Sequence, residues 1–256
     1  MKITALTENT TKLSLPVEHG LSLYIETEKH KLLFDTGQSP LFAGNARALG
    51  IDLSEVEFLV LSHGHYDHGG GLEKFLELNP SAKVYLNEHA FEPHYNGERY
   101  IGLDQGLKDN ERLVFTSDEY RITDGFTLFS MNCAEKKLDL GSFGLNMRVG
   151  EELVPDDFRH EHYLLIEEEG KRVLISGCSH KGIINIAGWF EPDYLIGGFH
   201  FNKIPLGRDL ERYARMLDSL DTKYFTCHCT GTEQYAFMKG YMKNLSYIST
   251  GMTLSI

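Results

Sequence analysis

The sequence predicts a layered α/β protein in which helices cover a mixed or paired sheet. Three observations predict it. Short apolar runs bounded by turn residues recur along the 256 residues, as buried strands do. Two pairs of such runs lie a few residues apart, as in hairpins. In the last quarter, strand-like runs alternate instead with helix-like stretches, as in parallel strand–helix units. With 41% hydrophobic and 24% charged residues, the chain can build a large core, and it has no low-complexity segment or solenoid repeat.

Residues 22–28 (SLYIETE) and 31–34 (KLLF) read as a hairpin, after which FDTG turns the chain out of the strand. Residues 40–49 (PLFAGNARAL) carry a helical pattern. EFLVLS, 57–62, is short and apolar enough for a buried strand, and GLEKFLEL, 71–78, returns to helical spacing. The stretch from about 80 to 160 is less regular, with AKVYL and FTLFSM as its clearer strands. It is the expected place for an insertion or lid within one domain spanning 1–256. HYLLIEEE and KRVLIS form a second hairpin that turns at Glu169 and Gly170. DYLIGGFH (193–200) and KYFTCHC (223–229) each read as strand then loop. RDLERYARMLDSL (208–220) and TEQYAFMKGYMKNL (232–245) follow them as helices. YIST and MTLSI close the chain as short strands.

A formal charge of −12 repels a phosphate backbone, so nucleic acid is excluded as a general partner. The four cysteines, Cys133, Cys178, Cys227 and Cys229, show no CxxC pair and no secreted framework. The first twenty residues are too polar for a signal peptide, and no apolar run approaches the ~18 residues that span a bilayer. The expectation is a cytoplasmic protein with reduced thiols and no membrane partner.

Chemistry concentrates in Ser62-His63-Gly64-His65-Tyr66-Asp67-His68, followed by three glycines. Four potential metal ligands fall within six positions, directly after an apolar strand. In extended chain His63 and His65 point to one side, because side chains alternate. A turn at Tyr66 can then bring Asp67 and His68 to an adjacent centre. Imidazole and carboxylate suit Zn²⁺ and other first-row dications. A lone histidine here would read as a helix cap, but the full H-x-H-x-D-H string does not. Cys178 also follows an apolar strand, beside Ser179 and His180, where it is either a thiolate ligand or a buried structural cysteine. His228 ends another strand.

These residues resemble the metallo-β-lactamase superfamily, with FDTG (34–37) matching the family's early strand-turn around a buried Asp. GCSHKGIIN (177–185), GGFH (197–200) and CHCTG (227–231) are similar to the branch that contains dihydropterin–ribofuranosylaminobenzene phosphate synthases. The resemblance implies a four-layer αββα sandwich and two divalent metal ions, Zn first, with Fe or Mn as alternatives. It assigns His63 and His65 to the first metal. It assigns Asp67, His68 and His228 to the second, with Cys178 bridging. The family's G-H-T-x-G turn is missing. The first metal's remaining ligand is then His160, His162 or His180, and the GCSH string favours His180. Asp35 is expected to hydrogen-bond a ligand imidazole. His200 and Lys181 are candidates for substrate contact, whereas His19, His30, His89 and His94 have no supporting neighbours. Cys227 and Cys229 are expected to point into the core. Phe91, Tyr95, Tyr100 and Tyr120 are either core residues or an apolar lid.

Two dications so held would make a water acidic enough to react at neutral pH, with Asp67 orienting it. The first functional class is therefore a metal-dependent hydrolase of an ester, amide or phosphodiester. The second, implied by the branch, is a transferase or synthase acting on a pterin or ribofuranosyl-phosphate precursor. The third is a non-catalytic metal-binding relative. In the enzyme classes the partner is a small anionic or heterocyclic molecule.

Overall fold

The computed structural model describes residues 1–256. Two seven-stranded sheets face each other. The first runs in the order Thr253–Ser255, Lys2–Thr7, Ser22–Glu26, Lys31–Phe34, Phe58–Val60, Lys83–Asn87, Leu113–Thr116. The second runs Leu245–Tyr247, Lys223–Thr226, Tyr194–Gly197, Lys171–Ile175, Tyr163–Glu168, Phe126–Phe129, Glu119–Thr123. In each, hairpin-paired antiparallel strands pass into a parallel set.

The period-2 alternation of strand side chains explains the layers. Leu32, Phe34, Phe58 and Val60 from the first sheet meet Leu164, Ile166, Val173 and Ile175 from the second in one inner core. The intervening Leu33 and Leu59 point outward, against helices Leu41–Ala48 and Leu72–Leu78. Likewise Leu165, Leu174 and Leu195 face helices Ile183–Phe190, Arg208–Asp218 and Thr232–Lys239. Strands with two buried faces must be apolar at nearly every position, which is why they read as continuous apolar runs. The second hairpin turns at Glu169 and Gly170 with φ of 52° and 75°, the left-handed pair that suits the twist of a two-residue loop.

Three features differ from the sequence reading. Lys2–Thr7 is a strand inside the polar N-terminal stretch, paired with both Ser22–Glu26 and Thr253–Ser255. The final helix stops at Lys239 rather than 245, because Leu245–Tyr247 is drawn into the second sheet beside Lys223–Thr226. The stretch 80–160 is divided among three sheets. It contributes two strands to each large sheet, and the rest forms a four-stranded sheet of Glu152–Pro155, Leu145–Val149, His94–Asn96 and Arg99–Tyr100. No helix is long and apolar enough to cross a membrane.

Candidate metal centre

The parallel strands of both sheets end along one edge of the sandwich, and the residues that follow them carry the chemistry. Asp35 follows Lys31–Phe34, and the histidine string follows Phe58–Val60. Cys178 and His180 follow Lys171–Ile175, His200 follows Tyr194–Gly197, and His228 follows Lys223–Thr226. Asp35, Ser179, His200 and His228 have positive φ, between 47° and 60°. Left-handed non-glycine residues cluster where the surrounding structure fixes a functional turn.

The string itself behaves as its spacing suggests. His63 and His65 converge with ring centroids 4.6 Å apart, and one helical turn, Tyr66–Gly69, carries Asp67 and His68 round to the second position. Donor atoms then fall into groups whose members all lie within 4.8 Å of one another. These include His63, His65 and His180; His63, His68 and Cys178; Cys178, His228 and Cys229; and His19, Asp67 and His228.

Hydrogen bonds behind the rings set their tautomers. His68 Nδ1–H donates to Asp35 Oδ2 at 2.6 Å. Ser62 Oγ–H donates to the same oxygen at 2.8 Å, which leaves Ser62 Oγ to accept from His63 Nδ1–H at 2.7 Å. His228 Nδ1–H donates to Asn9 Oδ1 at 2.8 Å. All three rings therefore turn an Nε2 lone pair inward. His68 Nε2 lies 3.2 Å from His228 Nε2 and 3.2 Å from Cys178 Sγ, while His63 Nε2 lies 3.3 Å from His180 Nε2.

Two lone pairs at 3.2 Å repel unless something positive sits between them. A proton on His68 would serve one neighbour, whereas a dication serves His68, His228, Cys178 and Asp67 together. Burial alone would raise the Asp67 carboxyl, yet His68, His19 and His228 hold it well below its ordinary value. Burial pushes the Cys178 thiol well up, and Cys229, Asp67 and Glu161 add to this. Only a cation would draw a thiolate there. The donor set thus fits metal ions.

His180, not His162, joins His63 and His65. His162 is held by the Leu61 carbonyl at 2.7 Å, and His160 Nδ1 accepts from the Gly64 N–H at 2.9 Å. His200 reaches the cleft, its ring 4.4 Å from His180. Burial, with His228 and Lys203, lowers its pKa to about 3. Lys181 does not reach it. Its Nζ is buried and donates to the carbonyls of Ser130 and Glu161 at 2.6 and 2.8 Å, filling a space beneath the loop instead of meeting solvent. Cys227 packs in the inner core as expected, but Cys229 turns towards Cys178. The four aromatics form no common lid. Tyr95 pairs with Tyr100, Phe91 with Phe115, and Tyr120 with Tyr85.

Sequence reasoning missed His19, whose Nε2 lies 3.2 Å from Asp67 Oδ2. It also missed His94, which groups with His65, Asp156 and His160. Neither stands in a run of histidines, and the partners that mark them lie far along the chain. The cleft over these groups holds about 180 Å³ and is rimmed by Asn96, Arg99, Asn202 and Lys203.

A model of the metallo-beta-lactamase superfamily matches residues 15–220. The chain belongs to this superfamily. It is similar to an uncharacterized protein of Methanocaldococcus jannaschii, 29% identical with 99% of this chain and 100% of that one covered. It is also 30% identical to that organism's 7,8-dihydropterin-6-methyl-4-(beta-D-ribofuranosyl)-aminobenzene-5'-phosphate synthase, over 98% of this chain and 95% of the synthase. Among solved structures, Tm1679, a metal-dependent hydrolase of the beta-lactamase superfamily, superposes with a TM-score of 0.86 at 30% identity, covering 100% of this chain and 99% of Tm1679. The αββα layering expected from the sequence is that superfamily's fold.

Proposed function

We propose that this protein is a metal-dependent hydrolase of a small anionic substrate. The observation that carries the reading is that Cys178 Sγ, His228 Nε2 and Asp67 Oδ2 all lie within 4.0 Å of His68 Nε2, with His63, His65 and His180 grouped beside it. Two divalent ions, zinc in the first instance and iron or manganese as alternatives, would activate a water and polarise a substrate oxygen. The protein's own groups do the rest. Asp67, kept ionised in spite of burial, would help to hold an ion and orient the attacking water. Asp35, Ser62 and Asn9 hold the ligand imidazoles in the tautomers that face inward. Arg99 and Lys203 at the cleft mouth make no ion pair with an acidic side chain, and in a chain of net charge −12 they favour an anionic ester or phosphodiester.

The similarity to the synthase over 98% of the chain supports a second reading, in which the same centre joins two organic substrates. Zinc- or manganese-loaded protein assayed on ester, amide and phosphodiester panels in ¹⁸O-water separates the two. Solvent oxygen in the product supports hydrolysis. Joining of a pterin and a ribofuranosyl phosphate donor without solvent oxygen supports the synthase and ends the hydrolase reading. Stoichiometric metal with no turnover on any panel or pair would leave a binding protein.

A further inference from the structure

We propose that His94 and Asp156 form a relay that positions His65, fixing which of its nitrogens faces the cleft. The inference rests on the reading of His65 as a metal ligand. His94 lies on the strand His94–Asn96 of the small sheet, and Asp156 directly follows Glu152–Pro155 of the same sheet. Both side chains are fully buried, and their donor atoms lie within 4.8 Å of those of His65 and His160.

Asp156 Oδ2 accepts from His94 Nδ1–H at 2.8 Å, which leaves His94 Nε2 a lone pair. That nitrogen has no partner and is sealed from solvent, and so is His65 Nε2. The two rings meet edge to face, with centroids 5.5 Å apart. One orphan is an acceptor. The two do not bond each other as the rings stand, but a small turn of either ring would pair them with the His65 proton on Nε2, and His65 Nδ1 is then left to face the metal cleft that His65 lines. The chain then runs from Asp156 through His94 to His65. A carboxylate at its far end makes His94 a stronger acceptor, and His65 in turn a stronger donor to a cation. The neighbouring His160 and the hydrogen bond from His94 hold the Asp156 carboxyl well below its ordinary value although burial alone would raise it.

His160 argues against an ion inside this group. Its Nδ1 accepts from the Gly64 N–H, so its proton sits on Nε2, 3.4 Å from Asp156 Oδ2 but not in hydrogen-bond geometry. A cation there would have to displace that proton and the Gly64 contact. His160 instead holds the backbone between His63 and His65 while Asp156 holds His160, so one buried carboxylate of the small sheet steadies both the loop and one of its ligands.

The test uses His94→Leu, His94→Gln and Asp156→Asn in the full chain, with zinc affinity measured against a competing chelator. ¹⁵N-histidine spectra of the zinc-loaded protein provide a second readout. Leu fills the space without an acceptor, whereas Gln restores one. The expected result is one zinc bound 10–100-fold more weakly in His94→Leu and Asp156→Asn, with most of the loss recovered in His94→Gln. An exchange-protected imidazole N–H signal should be present in wild type and absent in His94→Leu. Equal zinc affinity in all four proteins would overturn the relay. So would three zinc ions in wild type and two in Asp156→Asn, which would assign the group to an ion. Wild type that binds no zinc would instead defeat the metal-centre reading itself.

Discussion

Replacing Asp35 by Asn should strip the second centre of metal while leaving the fold intact. Asp35 accepts three hydrogen bonds: Ser62 N–H at 2.7 Å, Ser62 Oγ–H at 2.8 Å and His68 Nδ1–H at 2.6 Å. Its φ of 60° is one that Asn adopts readily, so the backbone tolerates the change. The amide keeps one oxygen and puts an NH₂ where the other stood. If the oxygen stays on the Ser62 N–H, the NH₂ meets the Ser62 hydroxyl, which can turn to accept, and His68 Nδ1, which can accept only by moving its proton to Nε2. That proton would occupy the lone pair aimed at Cys178 and His228. Losing one charge-assisted bond costs roughly 1.5–3 kcal/mol, and disrupted support behind a ligand histidine typically weakens metal binding 10–100-fold. The two scales agree, since a hundredfold is about 2.7 kcal/mol. Chelator competition reads the affinity, and circular dichroism reads the fold. Zinc affinity within twofold of wild type, in a folded variant, would refute the claim that Asp35 sets the His68 tautomer.

Other perturbations separate site from scaffold. His63→Ala and Asp67→Ala should each lose bound metal and activity yet unfold cooperatively; full occupancy by elemental analysis would sink the ligand assignment. Cys178→Ser should lower the affinity of one ion more than it lowers stability, and unchanged stoichiometry and affinity would reduce Cys178 to packing. Gly64→Ala would drive a Cβ into the backbone carbonyl of Ala90, so the loop must shift. A loss of about 1–3 kcal/mol in denaturant melts is expected, and an unmoved midpoint would show that the loop yields freely. Chelation of a protein held with free metal at about 100 times its Kd should remove about 2.7 kcal/mol of stability, and identical melting of loaded and stripped samples would speak against resident ions.

Residues whose signal is local in sequence were legible. The hairpins, the outer helices and the string His63–His68 each announce themselves within a few positions, and Asp35 is placed behind a ligand by the resemblance of FDTG to the family's early strand-turn. What escaped depends on contacts made far along the chain. Lys2–Thr7 reads as polar because Thr4 and Thr7 sit among its apolar residues, and its status as a strand comes from neighbours at Ser22–Glu26 and Thr253–Ser255. Lys181 looks like a solvent-facing lysine beside a ligand, but two backbone carbonyls, one of them 51 residues earlier, capture its ammonium. His94 and Asp156 lie 62 residues apart and become a pair only because the small sheet folds back over the metal loop. Periodicity reports faces and neighbours in sequence, and it carries no information about such returns.

The same long separations bear on the order of assembly. Each metal group draws on both sheets: His63 and His65 with His180, and Asp67 and His68 with Cys178 and His228. The contacts that cross between them span 110, 117 and 160 residues. Bringing such distant groups together is entropically costly, and ions alone would have to overcome that cost in a chain without a core. Here the inner core of 18 buried residues already joins the sheets behind the site. The backing bonds from Asp35, Ser62 and Asn9 orient the rings without help from an ion. A small zinc domain that folds only on binding metal has neither. The stripped protein should therefore keep its native sandwich and rebind metal without refolding, which is why ligand substitutions are expected to empty the site rather than unfold the chain.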